Sequence, residues 1–285
     1  MIDLNTQCDF LLPGGALPVS NRDTILPRIR ALMAWCRREQ VPIVSSLEAH
    51  RASEPSRGLP PVCIDRTRGQ RKVPFTLMPR RLFVQGDNTF DLPADPFSKY
   101  QQIIFTKRHS DFLSNPKADR LVNALRPTYW MIIGIAATHA VKSIALGLLA
   151  RSQRVVVVKD CCGYWSNSDS EHAMRQMDAK GALIVESEEI ISGYVASKLS
   201  QDIEEEAARI AEKEGIQEPA TVSRMRMLRS SRKAVSAADA DQEPGAAKQR
   251  SKAKSGPEPA SDDLAPHELV ARKRTANGKT GRPLA

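Results

Sequence analysis

The chain has 285 residues, 42 Lys+Arg against 33 Asp+Glu for a net charge of +9, and 41% hydrophobic residues. That length suits one well-packed domain of about 200 residues plus an extension, and the absence of any 18-residue apolar run excludes a membrane-spanning helix. The five cysteines include an adjacent pair and no C-x-x-C, so neither a disulfide scaffold nor a zinc framework is indicated. With no basic-then-apolar leader at Met1, a reducing cytoplasm is the expected setting.

Taken in order, the chain alternates strands and helices. A first strand is predicted near residues 2–6. It has little room before Asp3, so either that strand is short or the chain starts further upstream. Ile25, Ile29, Leu32, Met33 and Cys36 recur at helical spacing and predict a helix over 21–40. A strand at 42–46 leads into a long irregular stretch, 48–80, rich in Pro, Arg and Ser. A short strand follows at 81–85, then a strand at 102–106, a helix at 117–125 and a strand at 129–134. The remaining elements are a helix at 139–151, a strand at 154–158, a helix from Ser168 to Lys180, a strand at 182–185 and a helix over about 187–215. Such βαβ order predicts a three-layer αβα domain on a mostly parallel open sheet, with its site at the carboxyl ends of the strands. The domain is expected over 1–200, followed by a helix or linker over 201–219.

Several short segments at those strand ends resemble one family. Asn5-Thr6-Gln7-Cys8-Asp9-Phe10 resembles a D-x-Q-x-D-F segment. Pro13 to Val19 resembles the Gly-rich turn after it, and Glu48-Ala49-His50 a D-x-H. Pro60-Pro61-Val62-Cys63 with Gly69-Gln70 resembles P-x-H-C…G, and Lys107 to Phe112, one position shorter, resembles K-x-x-x-S-x-F. Gly134 to Val141 resembles a turn whose seventh residue is a nucleophilic cysteine. Together these resemble the isochorismatase-like cysteine hydrolases, nicotinamidase-like members included. The family implies an Asp–Lys–Cys triad, with the Asp as general base and the Lys lowering the thiol pKa. This chain presents Asn5, Lys107 and Ala140 at those positions. Asp3, two residues before Asn5, would lie about 6–7 Å further back along a strand and is a poor substitute base.

The resemblance also implies a metal held through the D-x-H pair and the His of P-x-H-C. Here those positions are Glu48, His50 and Val62, which leaves two donors and a weak site, so no cofactor is expected. Phe10, Thr138 and His139 fall at positions that imply a substrate pocket. His139 reads either as a turn histidine or as a replacement catalyst. The adjacent Cys161 and Cys162 read as apolar fillers, with a rescuing nucleophile as the alternative.

Two functions follow from the same residues. One is a hydrolase fold without hydrolase chemistry, a pseudoenzyme whose pocket binds a small molecule or a partner. The other is a C–N amidohydrolase using non-thiol chemistry around Lys107. The family also implies a homo-oligomer.

From Ala220 onward the chain carries 14 Lys+Arg against 7 Asp+Glu and no aromatic residue, so the extension holds most of the net charge. Such a composition predicts a disordered basic tail over 220–285. It reads either as a solvated linker or as a nonspecific contact for nucleic acid or another polyanion. Gly281-Arg282-Pro283 is a three-residue likeness to the core of minor-groove AT-hooks.

Overall fold

The computed structural model describes residues 1–54, 60–85, 92–108 and 111–214, the last four as backbone. His109, Ser110 and the tail expected to be disordered over 220–285 lie outside the described residues.

Seven strands form one sheet: β1 (Ile2–Leu4), β2 (Ile43–Glu48), β3 (Arg81–Val84), β4 (Gln102–Lys107), β5 (Trp130–Ile135), β6 (Val155–Gly163) and β7 (Leu183–Val185). Their order is β3-β4-β2-β1-β5-β6-β7, and every pairing is parallel. The expected α/β class is therefore the observed one, with an all-parallel sheet. Parallel strands need covering on both faces, and the inner strands show it: β1 and β5 are buried at every position. Side chains alternate between two cores. Met131, Ile133 and Ile135 of β5 pack with Ile25, Ile29, Leu32 and Met33 of helix α2 (Arg22–Arg38). Trp130 and Ile132 turn the other way, toward α3 (Pro116–Ala124) and α4 (Lys142–Leu149).

Helix α3 begins where the sequence has Asn-Pro: the Asn115 side chain accepts from the backbone N–H groups of Lys117 and Ala118, and Pro116 occupies the first turn. Three features depart from expectation. A four-residue helix, α1 (Cys8–Leu11), follows β1 at once. Strand β6 continues past residue 158 to Gly163, because its register against β5 shifts between Ile132 and Gly134 and lets Lys159 reach solvent in mid-strand. After α5 (Asn167–Ala179), the single helix expected over 187–215 is two, α6 (Ser187–Ile191) and α7 (Tyr194–Glu214). They are separated at Gly193, whose φ of 80° ends a right-handed helix. Among the described residues no helix is long and apolar enough to cross a membrane.

From β1 the chain moves to one side for β2 and the edge strand β3, fills the gap between them with β4, then returns to the other side with β5. The reversal falls between β1 and β5, and in open parallel sheets a crevice opens beyond the strand ends at that point.

Candidate functional site

A cavity of about 680 Å3 occupies that crevice, and the ends of four strands reach it. Asn5 follows β1, Glu48 closes β2, Lys107 closes β4, and Ile135 closes β5 before the turn that carries Ala140. Glu48 and Lys107 are direct neighbours across the β2–β4 ladder. Their side chains form an ion pair, Lys107 Nζ to Glu48 Oε1 at 3.4 Å, with the lysine almost wholly buried.

Asn5 has a φ of 50°, a left-handed conformation that Asn and Asp adopt more readily than other non-glycine residues. Replacing an acid with its amide therefore preserves the backbone. The side chain is held at both ends: Nδ2 donates to the Ile135 carbonyl at 3.0 Å, and Oδ1 accepts from Ser46 Oγ at 2.7 Å. A carbonyl only accepts, so the amide nitrogen must face Ile135. In that orientation Asn5 has a satisfied donor and no basic oxygen.

Residues 137–141 form a single π-helical turn, Ala137–Val141, leading into α4. His139 and Ala140 line the cavity; Thr138 does not, and its Oγ1 lies 2.7 Å from His139 Nδ1 instead. Of the three residues expected in the pocket, Phe10 and His139 are there and Thr138 stands off. Phe10 meets Trp165 edge-to-face with ring centroids 6.0 Å apart, and both line the cavity.

The metal expected of the family has no fitting donor set here. Val62, to which the resemblance gives the place of a third ligand, is an apolar part of the wall. Glu48 is engaged by Lys107, and His50 Nδ1 lies 3.2 Å from Glu54 Oε2. No group of three donors able to hold an ion occurs among the described residues.

None of the five cysteines lines the cavity; all are free and buried. Burial raises the thiol pKa at each, to about 12 for Cys36 and Cys162. Cys161 and Cys63 are likewise raised, chiefly by burial and secondarily by Asp160 and Glu48 respectively. A protonated, enclosed thiol is no nucleophile, which favours the filler reading of Cys161 and Cys162. Asp3 is committed elsewhere: it lies 2.9 Å from Lys72 Nζ, and neither side chain is exposed.

Asp9 proves architectural. Its carboxylate accepts from the backbone N–H of Ala16 at 3.0 Å and from that of Cys63 at 2.6 Å. It thereby ties two wall-bearing loops, which carry Leu17 and Val62, to α1. Gly69 makes this possible, since a Cβ there would lie 2.2 Å from the Asp9 carboxylate.

The sequence pattern did not single out Leu17, Arg51, Glu54, Ile64 or Trp165, all of which line the cavity. Trp165 alone left a signal, an aromatic residue just past a Gly at a strand's carboxyl end.

The family model for the Isochorismatase domain matches residues 1–189. The chain belongs to the isochorismatase family. No match was found among curated proteins. Among solved structures, the nicotinamidase/pyrazinamidase of Bacillus subtilis is similar at 17% identity and a TM-score of 0.51, covering 65% of this chain and 97% of that one. An isochorismatase-like hydrolase of Alkaliphilus metalliredigens is similar at 18% identity and a TM-score of 0.51, covering 68% and 96%. A pyrazinamidase of Pyrococcus horikoshii, solved in complex with zinc, gives 25% identity and a TM-score of 0.49, covering 65% and 97%. At these identities the likeness to the two bacterial structures is one of fold. The isochorismatase domain thus accounts for the sheet and its helices.

Proposed function

We propose that this isochorismatase-family protein is non-catalytic as a cysteine hydrolase and uses its cavity to bind a small molecule or a partner. One observation carries the reading: Asn5, Lys107 and Ala140, the residues that by resemblance stand for the family's Asp–Lys–Cys set, all line one cavity. Covalent acyl transfer needs a nucleophile, and the Ala140 methyl offers no electron pair. It also needs a base to take the thiol proton, and an amide already bonded to Ser46 and Ile135 is not one. Lys107 keeps its place but pairs with Glu48, a carboxylate at a metal-ligand position, so the surviving charges serve each other.

The competing reading is an amidohydrolase working without a thiol. The imidazole of His139 at the cavity, next to Ala140, is the observation in its favour. Turnover separates the two. The purified full-length protein is assayed on a panel of small amides, nicotinamide and pyrazinamide included, and on isochorismate, beside Asn5→Asp/Ala140→Cys. A silent wild type, with iodoacetamide labelling at position 140 in the folded double variant, supports the non-catalytic reading. Turnover by the wild type, abolished by Lys107→Ala or His139→Ala, sinks it.

The basic extension suits nonspecific contact with nucleic acid or another polyanion. Self-association and a cytoplasmic setting complete the proposal.

A further inference from the structure

The cavity wall is apolar over most of its extent, and the formal charges of the acids and bases that line it, Glu48 and Glu54 against Arg51 and Lys107, sum to zero. Phe10, Leu17 and Trp165 face the space from the α1 and β6 side, and Pro61, Val62 and Ile64 from the loop after β2. At the floor, the Lys107 ammonium and the Glu48 carboxylate form one pair, and Asn5 is neutral. An anionic ligand drawn to Lys107 has to compete with Glu48, and a cationic one drawn to Glu48 has to compete with Lys107. In a partly desolvated site, either exchange strands one charge. A ligand without net charge disturbs neither.

Size narrows the class further. A volume of about 680 Å3 falls in the range of pockets that take drug-sized molecules. A single-ring amide would leave much of that space as water against apolar wall, forgoing most of the available hydrophobic gain. We propose that the cavity binds an uncharged aromatic ligand of two or more rings. Its ring faces lie between the Phe10–Trp165 side and the Val62–Ile64 side, and its polar edge points to Asn5 and the Glu48–Lys107 pair. This deepens the non-catalytic reading and rests on it.

Two probes sharing a skeleton test the class in the full-length protein: N-phenylnaphthylamine, which is neutral, and anilinonaphthalene sulfonate, which adds a negative charge. Nicotinamide is the single-ring comparison. Saturable binding is expected at one site per chain for the neutral probe, with quenching of Trp165 emission that Trp165→Phe removes. The sulfonate analogue and nicotinamide should each bind at least about tenfold more weakly. Val62→Asp, which places a charge in the wall, and Ala140→Leu, which fills the floor, should each weaken the neutral probe by about tenfold or more. Circular dichroism confirms that each variant is folded, and either variant alone suffices.

Tighter binding of the sulfonate, tighter binding of nicotinamide, or no saturable site for the neutral probe would each overturn the ligand class. Turnover of an amide by the wild type strikes instead at the non-catalytic reading and leaves the probe ranking to stand or fall alone.

Discussion

Asp3 and Asn5 sit two residues apart at the start of the chain, yet they belong to different structures. Asn5 reaches the cavity, while Asp3 anchors a sealed polar cluster. Lys72 Nζ lies 2.9 Å from Asp3 Oδ2 and donates to Thr6 Oγ1 at 2.7 Å, and Ser45 Oγ donates to the same Asp3 oxygen at 3.0 Å. Burial lowers the Lys72 pKa, and the Asp3 charge works against that shift. A buried ion pair contributes little net stability, but removing one partner leaves the other charge stranded. Lys72→Met should therefore destabilise the protein by about 3–5 kcal/mol, and Asp3→Leu/Lys72→Met should recover much of that loss. Urea denaturation of the wild type, both single variants and the double variant measures this. A Lys72→Met loss within about 0.5 kcal/mol of zero, the range of ordinary surface changes, would mean the pair is not sealed. Sequence could not place this pair, since Lys72 comes from the irregular loop far along the chain and has no periodicity to fix its direction. Asn5, Lys107 and Ala140 were legible for the opposite reason. Each sits at or just past the end of a strongly apolar strand, and parallel strands bring such ends together.

At the level of elements, the inner strands were the easiest to read and their edges the hardest. Val155 to Val158 announce β6, but Lys159 and Asp160 look like its end. The strand absorbs them through the irregular register against β5 and runs on to Gly163. The charged pair thus masked the segment that carries the chain on to Trp165. Thr138 stands off the cavity within a π-helical turn, which composition does not announce and which decides which of its residues line the space. The seam between β1 and β5 depends on Gly134. Its φ is 127°, and a Cβ there would lie 2.0 Å from the Leu4 carbonyl oxygen. Both the backbone conformation and the space exclude a side chain. Gly134→Ala should push β5 away from β1 at the point where the cavity opens. The expected loss exceeds the roughly 1 kcal/mol typical of an incompatible Gly→Ala change, because the clash is with backbone. A thermal melt is the measurement, and an unchanged midpoint would contradict the strand pairing Leu4–Gly134.

On the scale of the whole molecule, the charge is segregated. Residues from 220 onward hold 14 Lys+Arg against 7 Asp+Glu, while the chain as a whole reaches only +9. The isochorismatase domain is therefore close to neutral, and any long-range attraction for polyanions belongs to the extension. Sequence conveys this fully, because attraction of this kind depends on charge density rather than on a fold. If the extension contacts nucleic acid, binding should be independent of sequence and should fall steeply with salt, as neutralised phosphates release their counterions. Each Lys or Arg engaged on duplex DNA contributes about 0.9 to the slope of log K against log salt. Replacing Arg272, Lys273 and Arg274 with Gln removes one basic cluster, so the slope should fall by up to about 3 if all three are engaged. Anisotropy of a random-sequence duplex, titrated with the full-length protein between about 50 and 200 mM salt, reads this directly. A slope that the triple variant leaves unchanged would exclude that cluster from the contact. No binding at the low-salt end would mean that the extension is solvated rather than engaged. Because every described residue that lines the cavity belongs to the isochorismatase domain, N-phenylnaphthylamine affinity and DNA binding by the extension can be scored separately in one sample, and the expected result is that DNA leaves the probe affinity unchanged.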